Sequence, residues 1–300
     1  MDNVQRTFIP GDEWIYFKIY CGPKTAELIL NEAIKPTVDF LIENGVADKW
    51  FFLRYGDPKN HIRLRFHYTN PENTGLIINS LNSNLKYYIE NSLVWKVMCD
   101  TYSREIERYG DKTIELSESL FCLDSSATLS FLEMIEGDEG EQVRWLFSIV
   151  SIDYLLNDFG FTIQEKKDFM FTLKEGFSLE FNMNKESKAQ LGTKFRDEKK
   201  KITTFYEEKN NPESEYTPIF EVLENRSIGL SIIAKEIKDI LKNNEPYIEL
   251  NNLLSSYIHM LNNRVFKSKQ RMQEMVIYFY LDKYYEALLY SIQGNKKKEK

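Results

Sequence analysis

Cysteine and histidine are both scarce in this sequence of 300 residues, with three of each. The cysteines at 21, 99 and 122 are odd in number and lack CxxC spacing, which excludes a disulfide framework. The histidines are not spaced as metal ligands, so we expect no metal site and no cofactor. These absences predict a protein of a reducing cytosol that uses its own side chains for any chemistry.

Long apolar runs, a signal peptide and an excess of positive charge are also missing. No uninterrupted apolar segment approaches the ~20 residues that span a bilayer, so we expect a soluble, cytoplasmic protein without membrane contact. The formal net charge of −7 argues against broad nucleic-acid binding, and we expect no direct nucleic-acid partner. No GxxxxGK[ST], GxGxxG, GxSxG or HExxH motif occurs, which removes support for nucleotide hydrolysis, Rossmann cofactor use, ordinary hydrolase chemistry and a zincin site.

Two parts of the sequence differ in pattern. Residues 1–110 alternate between strand-like and helix-like segments in the order βαββαβ, which predicts a ferredoxin-like sheet region. The predicted segments are a strand at 14–20, a helix at 25–44 with a kink at Pro36 and a stop at Gly45, a hairpin of 50–55 and 61–68, a helix at 75–91 and an extended segment at 94–109. Residues 111–300 predict a mainly helical region, so the fold class is α+β. The helices predicted there are 138–157, 164–176, 186–208, 228–242, 247–262 and 269–290.

The segment from His61 to His67, HIRLRFH, is the most unusual in the chain. Strand periodicity places Arg63 and Arg65 on one face with both histidines, and Ile62, Leu64 and Phe66 on the other. Two guanidiniums fixed on a strand would form a rigid fork for carboxylates or phosphates. The alternative is an ordinary amphipathic strand whose basic face meets solvent or structural acids.

A second candidate is Glu105 with Arg108, in the segment YSREIERYG. On a helix these two side chains would share a face, whereas on a regular strand they would point to opposite sides. An intrasegment ion pair and an active-site role both remain open at this point.

A third candidate is the segment YIHMLNNR, with His259 in a predicted helix and Arg264 near its end. Histidine exchanges a proton near neutral pH, and a nearby arginine could hold an anion formed by that exchange. A histidine on an apolar helical face can equally be a hydrogen-bonded core residue.

Together these segments resemble the C-terminal domain of lantibiotic dehydratases, which also occurs as freestanding thiopeptide-type bacteriocin biosynthesis proteins. The resemblance runs from about Trp14 to Tyr290 through WxYxKIYxG, WFFLRYxDPxxHIRLRF, REIERYG and HMxxNR. It implies that residues 1–110 and 111–300 pack as one elimination-type domain.

The resemblance implies a lyase that eliminates glutamate from glutamylated Ser or Thr of a precursor peptide, leaving dehydroalanine or dehydrobutyrine. The matching positions imply His259, Arg63, Arg65, Arg108 and Glu105 as catalytic residues, with Arg264 and His61 as substrate-binding residues. Such chemistry needs a base for the α-proton and positive charge for the enolate and the departing glutamate.

The implied partners are a glutamylated, leader-bearing precursor peptide and a separate glutamyl-tRNA-dependent transferase subunit, and homodimerisation is a further expectation from the family. Related proteins in thiopeptide pathways instead join two dehydroalanines into a pyridine macrocycle, which is an alternative on the same scaffold. A second alternative is a non-catalytic scaffold that binds the leader peptide.

Overall fold

The computed structural model describes residues 4–135, 137–243 and 248–298. The chain divides into two compact units, which we describe separately. Unit 1 comprises residues 1–134 and 235–268, and unit 2 comprises residues 135–234 and 269–300. The boundary between the units does not coincide with the change in sequence pattern at residue 110, because unit 1 extends to residue 134 and also includes residues 235–268.

Unit 1 contains the β-sheets, so the chain is an α+β protein. Its strands are β1 (Thr7–Phe8), β2 (Trp14–Cys21), β3 (Lys49–Tyr55), β4 (His61–His67), β5 (Val94–Asp100) and β6 (Tyr102–Ser103). A four-stranded antiparallel sheet has the order β3-β4-β2-β5, and β1 pairs with β6 in a separate two-stranded sheet. The strand β4 is therefore interior, hydrogen-bonded to β2 on one side and β3 on the other.

The helices of the first 110 residues connect these strands. They are α1 (Pro23–Ile29), a π-helical turn at Leu30–Ile34, α2 (Lys35–Glu43) and α3 (Asn73–Glu90). The predicted kink at Pro36 corresponds to the π-helical turn just before it, because proline lacks the N–H that would continue the regular ladder. Gly45, with φ of 64°, ends α2: Val46 N donates to Leu41 O at 2.8 Å, and Gly45 N donates to Ile42 O at 3.1 Å. These two bonds form a Schellman motif, which explains the glycine.

The prediction of an extended segment over 94–109 is wrong beyond Ser103. The chain leaves β6 and forms a short helix, α4 (Ile106–Tyr109), which ends at Gly110 with φ of 76°. Helix α5 (Ile114–Glu133) was not predicted, because its buried face includes polar residues that weaken the hydrophobic period. Helix α10 (Leu250–Val265) completes unit 1 and contacts α5 and β3.

In the part of unit 2 that the structure describes, the regular elements are all helices. It contains α6 (Gly137–Asp158), α7 (Ile163–Glu180), α8 (Lys185–Glu208), the first part of α9 (Thr217–Asn243) and α11 (Gln270–Lys298). A capping box between Thr162 and Glu165 begins α7. Asp153 on α6 accepts hydrogen bonds from Lys166 Nζ at 2.6 Å and from the Tyr285 hydroxyl at 2.7 Å, which joins α6 to α7 and α11.

The helices predicted beyond residue 110 are present, with longer bounds in most cases. The start predicted at Tyr247 lies outside the described residues, and α10 begins at Leu250. Within the described ranges, every helix is either too short or too polar to cross a lipid bilayer.

Candidate functional site

The basic face of β4 is built by the two-residue period of an interior strand. Ile62, Leu64 and Phe66 are fully buried on one face of the sheet. On the other face, Arg65 is 6% exposed and Arg63 is half-buried. The structure therefore brings the two guanidiniums onto the same side of the sheet, two residues apart.

Arg65 lies among aromatic rings from three other strands. Its Cζ lies 4.2 Å from the ring centre of Tyr16, 4.7 Å from that of Tyr102 and 5.0 Å from that of Phe51. Its Nε and Nη1 atoms are buried and have no hydrogen-bond partner among the described residues. Burial lowers the pKa of Arg65, an effect opposed by the nearby hydroxyls of Tyr102 and Tyr16. These aromatic surroundings thus hold a cationic group with unused donors, an arrangement suited to an anion.

Arg63 is oriented by His61 and Tyr55. Its Cζ lies 3.3 Å from the ring centre of Tyr55, and its Nε donates to His61 Nε2 at 3.2 Å. His61 Nδ1 lies 2.8 Å from the carbonyl oxygen of Lys59, which can only accept, so Nδ1 carries the proton and Nε2 is the acceptor. Burial lowers the pKa of His61, and the adjacent Arg63 lowers it further. The neutral histidine is therefore an orienting partner of Arg63, with both of its ring nitrogens already engaged.

Glu105 and Arg108 occupy one turn of helix rather than a strand. Glu105 precedes α4, and its Oε2 lies 3.1 Å from Arg108 Nη1 in an ion pair whose side chains are about half exposed. The helical alternative from the sequence is thus the one that the chain adopts here. Burial raises the pKa of the neighbouring Tyr109 to about 12, and a hydrogen bond with Arg108 opposes that rise.

A cleft of about 690 Å³ lies beside this turn, within the usual range for ligand sites. Its lining comes from the α4 segment and from the residues at and before the start of α10. The lining residues are Glu105, Glu107, Arg108, Ile248, Asn252 and Ser256. Both acidic and basic groups therefore face the same cavity.

His259 lies on α10, half-buried, one turn beyond Ser256. The spacing of 252, 256 and 259 places His259 on the side of α10 that faces the cleft, although it is not itself among the lining residues. The adjacent Tyr257 is buried and stacks on Tyr109 with ring centres 5.9 Å apart. Its hydroxyl lies 2.7 Å from Ser117 Oγ, which fixes α10 against α5.

Arg264 is fully buried at the end of α10. Its Nε donates to the Phe52 carbonyl at 3.1 Å and to Ser125 Oγ at 3.0 Å, and its Nη1 lies 3.5 Å from Asp124 Oδ2. Burial lowers the pKa of Arg264 to about 10, while Asp124 opposes the shift. These contacts connect α10 to β3 and α5, so Arg264 holds the end of α10 in position.

Electrostatic coupling links the three sequence segments. Glu105 raises the pKa of Arg65, whereas Arg65 lowers that of Arg264. Arg264 also lowers the pKa of Tyr109. The structure therefore brings the basic strand, the α4 turn and the end of α10 into one charged neighbourhood, although neither Arg63 nor Arg65 lines the cleft.

Sequence reasoning missed the aromatic groups around Arg65 and the buried, paired Arg104. Arg104 Nε donates to Glu118 Oε1 at 2.8 Å, and its Nη2 donates to Glu118 Oε2 at 2.7 Å. The Tyr102 hydroxyl donates to the same carboxylate at 2.8 Å, so this pair fixes β6 against α5. The polar face of α5 was the available signal, because Glu118 and Asp124 are charged residues within its buried helical face.

Among the described residues, no three His, Cys, Asp or Glu side chains converge as metal ligands. The cleft is lined by two glutamates and one arginine, whereas the unused donors of Arg65, among aromatic rings, favour an anionic ligand over a cation.

Comparisons with known proteins identify the family of the chain and relatives of its fold. The family model for "Lantibiotic biosynthesis dehydratase C-term" matches residues 14–285. The subtilin biosynthesis protein SpaB of Bacillus subtilis is 28% identical over 279 residues, which cover 91% of this chain and 25% of that protein. The chain thus spans about a quarter of the length of this relative.

Solved structures share the fold. The tRNA-dependent lantibiotic dehydratase MibB from Microbispora sp. 107891 matches with a TM-score of 0.71 and 18% identity, over 94% of this chain and 29% of that one. TbtD, the pyridine synthase from thiomuracin biosynthesis, matches with a TM-score of 0.62 and 13% identity, over 94% of this chain and 100% of that one. Because the family model covers nearly the whole sequence, the chain belongs to the lantibiotic biosynthesis dehydratase C-terminal family.

Proposed function

We propose that this chain is a lyase that eliminates glutamate from glutamylated Ser or Thr residues of a ribosomal precursor peptide. In this reaction a base removes the α-proton, the Cα–Cβ double bond forms, and the β C–O bond breaks to release glutamate as a carboxylate. The product residue is dehydroalanine or dehydrobutyrine. This is the half-reaction of a split dehydratase that does not require tRNA.

The observation that carries the proposal is the buried guanidinium of Arg65 with two unused donors. A buried charge without a partner costs several kcal/mol, so such a group is retained where a ligand supplies the opposite charge. Both the enolate and the departing glutamate are anions that a guanidinium can stabilise in a site of low polarity. Arg63 and Arg108 supply further positive charge, and His259 exchanges the proton.

The remaining site residues take supporting roles in this proposal. Glu105 orients Arg108 through their ion pair, and His61 orients Arg63. Arg264, a proposed substrate-binding residue from the sequence, is better described as a positioning residue because its hydrogen bonds go to β3 and α5.

The partners follow from the reaction. The substrate would be a glutamylated, leader-bearing precursor peptide, delivered by a separate glutamyl-tRNA-dependent transferase subunit in the cytoplasm, and we include homodimerisation in the proposal.

The strand order β3-β4-β2-β5 with two helical connections supports a ferredoxin-like description of the sheet region. We also propose that both compact units act as one elimination-type domain.

The test is accumulation of the glutamylated intermediate. With transferase, glutamyl-tRNA and precursor present, the wild-type chain should give dehydrated peptide, whereas Arg65→Ala and His259→Ala should leave glutamylated peptide detectable by mass spectrometry. Arg196→Ala, an exposed arginine in unit 2, is the matched control and should dehydrate normally. Full dehydration by both site variants would refute the proposal.

Pyridine formation is the second candidate, because the chain aligns with the whole length of TbtD. It would require an already dehydrated peptide and would yield a macrocycle, which mass spectrometry distinguishes from glutamate loss. Among the solved structures, the higher identity and TM-score with the dehydratase MibB, 18% and 0.71 against 13% and 0.62 with TbtD, favour elimination. A leader-binding scaffold, the third reading, would bind the peptide without turnover and would tolerate the His259 substitution.

A further inference from the structure

The cleft has two uncharged polar residues that the elimination chemistry does not use. Asn252 and Ser256 line it together with the charged residues of the α4 segment. Neither side chain makes a hydrogen bond within the described part of the chain, and neither is fully buried. Their donors and acceptors are therefore available to a ligand in the cleft.

Helical geometry aligns these two residues with His259. Residues 252, 256 and 259 follow the i, i+4, i+7 pattern and so lie along one side of α10. Seven residues of α-helix rise by about 10.5 Å. An extended peptide covers that distance in about three residues, at ~3.3 Å each. A peptide lying along this side of α10, with its reacting residue at His259, would reach Asn252 about three residues away.

The chemistry of the two side chains suits a peptide main chain. Each peptide unit presents one N–H donor and one C=O acceptor. The asparagine amide can bond to both at once, and the serine hydroxyl can donate to one group and accept from another. Both are uncharged, so they can bind any residue of a precursor without selecting a charged side chain.

We propose that Asn252 and Ser256 bind the main chain of the precursor peptide beside the residue undergoing elimination. This inference rests on the proposed function for the identity of the peptide. It assigns a substrate-binding role to the first two turns of α10 and makes the cleft the channel in which the flanking residues lie.

Adjacent doublets in the sequence provide matched controls. Asn251 precedes Asn252, and Ser255 precedes Ser256, each about 100° around the helix from its neighbour and neither lining the cleft. Steady-state kinetics with a glutamylated peptide should show KM raised about 3- to 10-fold by Asn252→Ala or Ser256→Ala, the effect of one lost hydrogen bond. kcat should remain within about twofold of the wild-type value, because binding rather than chemistry is altered. Asn251→Ala and Ser255→Ala should leave both constants unchanged.

Substrate truncation sharpens the test. Two truncated peptides would each keep flanking residues on only one side of the glutamylated residue. Asn252→Ala should no longer raise the KM for the peptide that lacks the residues bound by Asn252, and should still raise it for the other peptide. An unchanged KM in both cleft variants, equal effects in the Asn251 and Ser255 controls, or a loss of kcat without a change in KM would each overturn the inference.

Direct binding separates this inference from the proposed function. Fluorescence anisotropy with a labelled, unmodified precursor peptide should show weaker binding to the Asn252→Ala/Ser256→Ala double variant than to wild type. If wild type releases no glutamate but this difference persists, the elimination proposal fails and the peptide-binding assignment stands. If elimination proceeds and the double variant binds the peptide as tightly as wild type does, the assignment fails alone.

Discussion

Replacing Arg65 with methionine tests whether its unpaired charge is retained for a ligand. Methionine replaces the apolar stem of the side chain but removes the guanidinium from a site that is 6% exposed. Burial of an unpaired ion costs several kcal/mol, and three cation–π contacts return about 0.5 to 2 kcal/mol each. We therefore expect Arg65→Met to stabilise unit 1 by roughly 1 to 3 kcal/mol and to abolish glutamate elimination.

Thermal unfolding measures the first half of this expectation. At about 2 to 4 °C per kcal/mol for a body of 150–250 residues, the midpoint should rise by roughly 2 to 12 °C. In a Trp145→Phe background the remaining three tryptophans all lie in unit 1, so their fluorescence follows that unit alone. Added glutamate should raise the midpoint of the chain that retains Arg65 and leave that of the Arg65→Met chain unchanged, since a ligand stabilises only the state that binds it.

Arg104→Met is the matched control in the same unit. Arg104 is as buried as Arg65, at 5% exposed, but its guanidinium is paired with Glu118. Its replacement leaves the buried carboxylate of Glu118 without a cationic partner and should destabilise unit 1 by about 3 to 5 kcal/mol. A lower unfolding midpoint in Arg65→Met would refute the reasoning, because it would make Arg65 a structural residue like Arg104.

Three further predictions follow from unit 1. Burial lowers the pKa of His61 below its unfolded value of 6.5, so the folded state binds fewer protons there than the unfolded state does. Unfolding titrations should therefore show the free energy of unfolding falling as pH drops below about 6.5, with a smaller fall in His61→Gln. Gly110→Ala should destabilise the protein by about 1 to 3 kcal/mol in denaturant melts, because φ is 76° and the added Cβ would lie 2.7 Å from a threonine hydroxyl. Gly75→Ala, in an open helical position, should instead stabilise it by about 0.5 to 1 kcal/mol. A change of the same sign in both variants would contradict this account. Asp124→Asn should cost about 3 kcal/mol in the same melts, since Arg264 would lose its buried carboxylate, and an unchanged melt would show that their 3.5 Å contact contributes nothing.

Much of the fold was predictable because its periods are local. The alternation in HIRLRFH identified an amphipathic strand, and the turn formers around Gly56–Asn60 identified the hairpin before any contact was known. The segment predicted as extended over 94–109 was the exception. Its sequence pattern does not change clearly between the strands and the turn that holds Glu105 and Arg108, although α4 ends there at Gly110 with a positive φ.

The candidate site was predictable only as a set of residue types. The sequence identified the arginines at 63, 65 and 108 and His259, and its resemblance to a family joined them into one hypothesis. It left open whether Glu105 and Arg108 face each other, because that depends on whether the backbone between them is helical or extended.

By itself, the sequence determined which face of β4 carries the guanidiniums, because side-chain direction on a strand depends only on the two-residue period. It also determined the family, because the motifs extend over nearly the whole chain. Only the tertiary structure decided that Arg104 is buried and paired with Glu118, while Arg65 is buried with no acceptor for its Nε and Nη1 among the residues described. Burial and pairing depend on neighbours from distant segments, here β2, β3, β6 and α5, whose approach no local period encodes.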